Sequence, residues 1–283
     1  MALALLGIEV DLHLYSLDRA REPCRLVVVA AIARLVVVPG LAQQYSNSVP
    51  ILLLPPSEGK ADGGTSRRWS MSSGTFSSLA DRREAVVRAL GAADGGTEKL
   101  LGVRGEHLDR ALSANVSLDG ARSLPAWQRY TGVVWDHLDP ASLAKIELRR
   151  IVVVSALLGL ARGNDPVPDY RLKMGANLAP LGKLSTWWRP DLSDTLNRYA
   201  SGRTAGQRRV MIDLLPQEHR AAWAPDRRVN GVSVEFVDPT GKPGGHFAKA
   251  AKGLLARAIL TDGIGVIDEW RDDRFELRVE PIN

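Results

Sequence analysis

Cysteine is almost missing from this chain. The 283 residues contain one, Cys24. A single cysteine excludes an intramolecular disulfide framework and a zinc site built on several thiolates. Histidine is sparse too. His13, His107, His137, His219 and His246 are scattered without ligand spacing, so neither a protein-built metal site nor a cofactor is expected. The sequence lacks Gly-x-Gly-x-x-Gly, His-Glu-x-x-His and Gly-x-Ser-x-Gly, the signatures of dinucleotide binding, zinc proteolysis and the nucleophile elbow. It also lacks a long apolar run. Residues 26–42 come nearest, but Arg34 and Pro39-Gly40 interrupt them, and a membrane span needs about 20 apolar residues. No membrane partner is expected, and a reducing cytoplasm is the natural setting. Acidic residues do not dominate: 32 stand against 37 lysines and arginines, for a net charge of +5. That balance permits a polyanionic partner without demanding one.

What is present suits a globular protein. Apolar residues make up 45% and charged residues 24%. Residues 1–48 read differently from the rest. Their four arginines and four acids cancel, and the lone cysteine lies there. They are expected to be a poorly packed N-terminal extension, of the kind a start codon set too early would add, ahead of a folded domain over 49–283. In that domain, residues 51–54, 151–154, 170–174, 210–214, 232–237, 264–268 and 274–280 read as strands. Residues 76–90, 97–113, 124–138, 141–148, 185–199, 217–223 and 245–260 read as helices. The order lacks strict βαβ alternation, which predicts an α+β fold in a single compact mixed domain.

Three segments carry chemistry. Ser57-Glu58-Gly59-Lys60 follows a buried strand and two prolines. It is not a P-loop, because Leu54 stands at the required glycine and Ala61 follows the lysine. A glycine-rich turn with a lysine still suits an anion. The second segment joins two helices through Gly102-Val103-Arg104-Gly105. It resembles a helix-hairpin-helix unit, in which glycines let backbone approach a DNA phosphate and the second helix aims free N–H groups at it. One extra residue, Arg104, separates the glycines here. The third is the helix over 245–260. On a helical projection Phe247, Ala251, Leu254 and Ala258 share an apolar arc, opposite His246, Lys249, Lys252 and Arg257. A one-sign face of this kind suits a polyanion. The pairs Trp187-Trp188 and Trp127/Trp135 read as core anchors.

Taken in order, these segments resemble the bacterial YaaA peroxide-stress protein family over roughly residues 50–280. The similarity rests on Pro55-Pro56-Ser57-Glu58-Gly59-Lys60, on Tyr130-Thr131-Gly132, and on Ser155-Ala156-Leu157-Leu158-Gly159 followed by Tyr170-Arg171-Leu172-Lys173-Met174-Gly175. Further matches are Trp187, Leu196-Asn197, residues 210–214, and Phe247-Ala248-Lys249-Ala250-Ala251-Lys252-Gly253. The resemblance implies a cytoplasmic protein that protects against hydrogen peroxide, lowers free intracellular iron, has a positively charged cleft and binds DNA. It transfers no catalytic assignment.

Three functions follow as expectations. A DNA-binding stress protein would contact duplex backbone through Gly102, Val103, Arg104, Gly105, Lys249, Lys252 and Arg257. An enzyme acting on a nucleotide or nucleic-acid base would gather Lys60, Tyr170, Arg171 and Lys249 in one pocket around a nucleotide-like small molecule, with a desolvated lysine as nucleophile or base. A direct iron binder would depend on Asp62, Asp165 and Asp169, which have no fixed spacing.

Overall fold

The computed structural model describes residues 40–65 and 67–282. Most of the expected extension, residues 1–39, lies outside the described residues. Its last residues are packed. Leu41–Gln44 is a short helix whose Ala42 amide donates to the Asp268 carboxylate at 3.1 Å. Ser48 already opens the first strand.

The centre is a mixed seven-stranded sheet. Its strands are β1 (Ser48–Leu54), β2 (Ile151–Ser155), β3 (Gly159–Arg162), the short β4 (Arg203–Thr204), β5 (Gln207–Asp213), β6 (Gly231–Val237) and β7 (Glu276–Pro281). The order across the sheet is β7-β6-β5-β1-β2-β3, with β4 hairpinned onto β5. The four strands β6, β5, β1 and β2 run parallel, with Leu52 level with Ile212 on one side and Ile151 on the other. The outer strands β3 and β7 are antiparallel. Continuous apolar runs explain the parallel centre. Leu52, Leu53, Val152 and Val153 are fully buried, so both faces of these strands are covered.

The helices used below are α1 (Ala80–Ala92), α2 (Glu98–Leu101), α3 (Glu106–Val116), α4 (Val133–Leu138), α5 (Leu184–Ala200) and α6 (Lys249–Asp262). No described helix is long and apolar enough to cross a membrane. Trp135 and Trp188 are buried and Trp127 and Trp187 partly so, all four in or against the core.

Three expectations are corrected. Residues 170–174 form no strand. Tyr170, Leu172 and Met174 are buried in alternation, but the Arg171 backbone bonds to the Asn115 side chain instead of a neighbouring strand. Residues 264–268 turn into the short helix Val266–Glu269. The third correction concerns α6. Phe247, ahead of its first turn, and Leu254 are exposed, while Gly253, Leu255, Ala256, Ile259 and Leu260 are buried. The cause is Gly253, which seats the helix on α4. A Cβ there would collide with the Val134 carbonyl and lie 2.7 Å from the His137 Cβ. Both neighbours belong to another helix, so Gly253→Val should cost about 3 kcal/mol by forcing the two apart. Urea unfolding would report it; an unshifted midpoint would mean that α4 retreats freely.

Candidate functional site

The site begins where β1 ends. Pro55 and Pro56 stop the strand and lead into a loop that reverses onto residues 129–131. Lys60 pairs there with Tyr130 as an isolated bridge, and the Ala61 amide donates to the Arg129 carbonyl at 2.9 Å. The Thr131 amide donates to the Ser57 hydroxyl at 3.0 Å, which closes the loop. Arg129, fully buried, fixes the far side. Its guanidinium donates to the carbonyls of Ala61, Gly63 and Val167.

A hydroxyl chain lies beneath the lysine. Ser155 Oγ accepts from the amides of Leu157 and Leu158, both at 3.2 Å, so its one proton goes to Tyr170 Oη at 2.7 Å. The Tyr170 and Tyr130 hydroxyls share a further hydrogen bond at 3.1 Å. Burial pushes the Tyr170 phenol up to about 12 and raises that of Tyr130 well above its ordinary value. Neither tyrosine is a base near neutrality. Together they form a wall for Lys60, whose Nζ stands 4.2 Å from the Tyr170 ring centroid and 5.7 Å from that of Tyr130.

The α2–α3 turn closes the opposite side. Gly102 ends α2 in the left-handed region, with φ of 65°, and the Lys173 ammonium occupies the place where a side chain on Gly102 would stand. Arg171 ties this turn to the loop. It donates to the Leu101 carbonyl at 3.4 Å, and to the carbonyl and carboxylate of Glu58 at 3.0 and 3.1 Å. From α3, His107, Arg110, Ala111 and Ala114 face inward at helical spacing, and the two alanines leave room. Arg110 holds the Lys60 carbonyl at 3.0 Å and pairs with both Asp62 and Asp169.

The result is a cavity of about 460 Å³ whose lining includes Lys60, Gly102, Val103, His107, Arg110, Asp169, Tyr170 and Arg171. Lys60 Nζ makes one hydrogen bond, to the Ser57 carbonyl at 3.0 Å. Burial and then the nearby Arg171 charge lower its pKa to about 7, against the pull of Asp169. Close to half of the amine is therefore neutral at physiological pH.

The candidate residues divide. Lys60, Tyr170 and Arg171 share this cavity with Gly102 and Val103. Lys249 does not. It lines a second cavity of about 290 Å³, with Arg220 and Lys252 among its neighbours. The expected basic face of α6 is not a free surface either. Lys252 Nζ donates to the Leu214 carbonyl at 2.7 Å, and burial lowers its pKa to about 8. Arg257 is spent on the carbonyls of Leu138 and Asp139 and on the Ser142 hydroxyl. Arg104 and Gly105 are exposed beyond the cavity rim, and Arg104 pairs with Glu98. The start of α3 carries Glu106 and Asp109, which oppose an anion at that helix end. Among the iron candidates, Asp165 accepts from Thr75 and from the Arg162 amide, while Asp62 and Asp169 share Arg110. The described residues contain no group of three or more His, Cys, Asp or Glu arranged to hold a metal ion.

Sequence reasoning missed His107, Arg110 and Glu58 as site members. The signal was there for the first two: His107, Arg110, Ala111 and Ala114 recur at i, i+3, i+4 and i+7 immediately after the glycine turn.

Comparison with known proteins agrees with the segment order. Residues 51–277 match the family described as Peroxide stress protein YaaA. A UPF0246 protein of Streptomyces coelicolor is 34% identical over 247 residues, covering 81% of this chain and 92% of that protein. A UPF0246 protein of Corynebacterium efficiens is 34% identical over 218 residues, 75% of this chain and 85% of its own. Another, of Dinoroseobacter shibae, is 32% identical over 201 residues, 66% and 73% of the two chains.

Proposed function

We propose, from the premise that this chain belongs to the peroxide stress protein YaaA family, that it binds DNA in the cytoplasm during peroxide stress and does so at the Lys60 cavity. The observation that carries this reading is the convergence of four basic side chains, Lys60, His107, Arg110 and Arg171, beside the Gly102-Val103 turn. The turn and its two flanking helices are read as a helix-hairpin-helix-like element. Arg110 is half exposed, so a phosphate can replace the carboxylates it now holds. Guanidinium groups fit phosphate in a fork, and such contacts position a duplex without reading its sequence. Lower free iron, the other property the resemblance implies, would act on the same target, since iron turns peroxide into DNA-damaging radicals. We read that effect as indirect.

A second reading, an enzyme acting on a nucleotide or nucleic-acid base, is favoured by one observation. The cavity is lined by a lysine whose pKa burial lowers to about 7, and its neutral form is a reactive group and a poor phosphate anchor.

The test is fluorescence anisotropy of labelled duplex DNA with the full chain at several salt concentrations. Non-specific binding is expected, with log K falling against log salt at a slope of roughly −2 to −4. Arg110→Ala should reduce the slope by about 1, equally for different sequences. Lys252→Ala should leave it unchanged, because that ammonium is already held by Leu214. Salt-independent affinity, or no binding, would remove the DNA reading.

A further inference from the structure

We propose that Lys60 is a Schiff-base nucleophile for the aldehyde of a phosphate-bearing deoxyribose, the ring-opened sugar of an abasic site in DNA. The proposal rests on the DNA reading for its macromolecular substrate and deepens it.

The observations begin with the pairing of charges in the cavity. Arg110 and Arg171 each hold carboxylates, whereas Lys60 Nζ has a single carbonyl partner and an aromatic wall. The wall is rigid, because the Tyr170 and Tyr130 hydroxyls are committed to Ser155 and to each other. The chain thus spends its guanidiniums on ion pairs and keeps its one cavity lysine unpaired. An amine in that setting is neutral for much of the time at physiological pH, and a neutral lysine amine is a nucleophile toward carbonyl carbon.

The second observation is what surrounds the amine. Arg110 and Arg171 flank it on opposite elements, α3 and the 169–171 segment. Two guanidiniums placed about one electrophile suit a sugar with a phosphate on each side. Asp169 lines the same cavity and can relay protons. The space, about 460 Å³, admits a sugar phosphate swung out of a duplex. An abasic sugar has no base to unstack, so extruding it costs little.

The step balances. The Nζ lone pair attacks the aldehyde carbon and forms a C–N bond. Two amine protons and the carbonyl oxygen leave as one water, and an imine remains. Hydrolysis with one water restores lysine and aldehyde.

Borohydride reduces such an imine to a stable secondary amine, which gives the experiment. The full chain is incubated with a duplex carrying one abasic site, or with free deoxyribose 5-phosphate, and sodium borohydride is added. Peptide mass mapping should place the adduct on Lys60. Lys60→Met should lose it, and Lys242→Met, an exposed lysine outside the cavity, should keep it. The yield with wild type should rise with pH around 7. Trapping on Lys60 with the duplex supports the proposal in full. Trapping with the free sugar phosphate alone keeps the nucleophile but moves its substrate off DNA, and anisotropy should then show no duplex binding. Duplex binding without any Lys60 adduct from either substrate overturns the proposal and leaves the DNA reading standing.

Discussion

Replacing Arg129 by methionine should destabilise the protein by about 3–5 kcal/mol, because the substitution strips partners from several buried acceptors at once. Arg129 is fully buried in a short helix, Ala126–Arg129, that follows the strand Ser123–Pro125, which pairs with Pro166–Pro168 outside the central sheet. Its guanidinium satisfies the carbonyls of Ala61 and Gly63 in the loop and of Val167 across from it. Methionine occupies much of the volume and takes the guanidinium donors away from all three oxygens. Arg129→Lys should rescue little, since one ammonium does not reproduce the planar fork that spans loop and strand. Urea unfolding of the full chain measures the loss. Because the loop carries Lys60, the proposed DNA binding should weaken in the same variant at temperatures where it remains folded. A methionine variant with the wild-type midpoint would show that water reaches these carbonyls and that the loop holds itself.

Residues 51–54 and 151–154 were readable as buried strands because nothing polar interrupts them, and they are neighbours at the centre of the sheet. Residues 170–174 misled because their burial does alternate, as in a strand, although Asn115 supplies the backbone partners. Period two records which side chains are buried, not which backbone groups are paired. The α6 face misled for a different reason. A helical projection assumes one wet side, whereas α6 packs on both α4 and β1, and its charges end on carbonyls that no projection displays. The site was legible where one motif carried it, as with Lys60 and Tyr170-Arg171. Lys249 looked equivalent by motif alone, and only the third dimension separates it from them.

Lys60→Met should raise stability at pH 7 by about 2–4 kcal/mol, and the gain should fade as pH approaches 10. The argument follows the proton. In the unfolded chain Lys60 has its ordinary pKa of 10.5; in the folded protein burial lowers it to about 7. Between those values the unfolded chain holds a proton that the folded chain has released. Stability therefore falls as pH drops from 10.5 to about 7. Below that range both states hold the proton, and the deficit stays at its full size. Methionine is unbranched, only one atom shorter than lysine and uncharged, so it removes the deficit while keeping most of the packing beside Tyr170. Other titrating groups cancel to first order when wild type and variant are compared at one pH. Urea midpoints at pH 7 and pH 10 give the two differences. An equal gain at both would mean that the benefit comes from apolar packing alone, and that Lys60 is solvated enough to keep its charge. A gain confined to the lower pH would mark a group the fold carries at a cost in stability, as expected of a side chain retained for its reactivity.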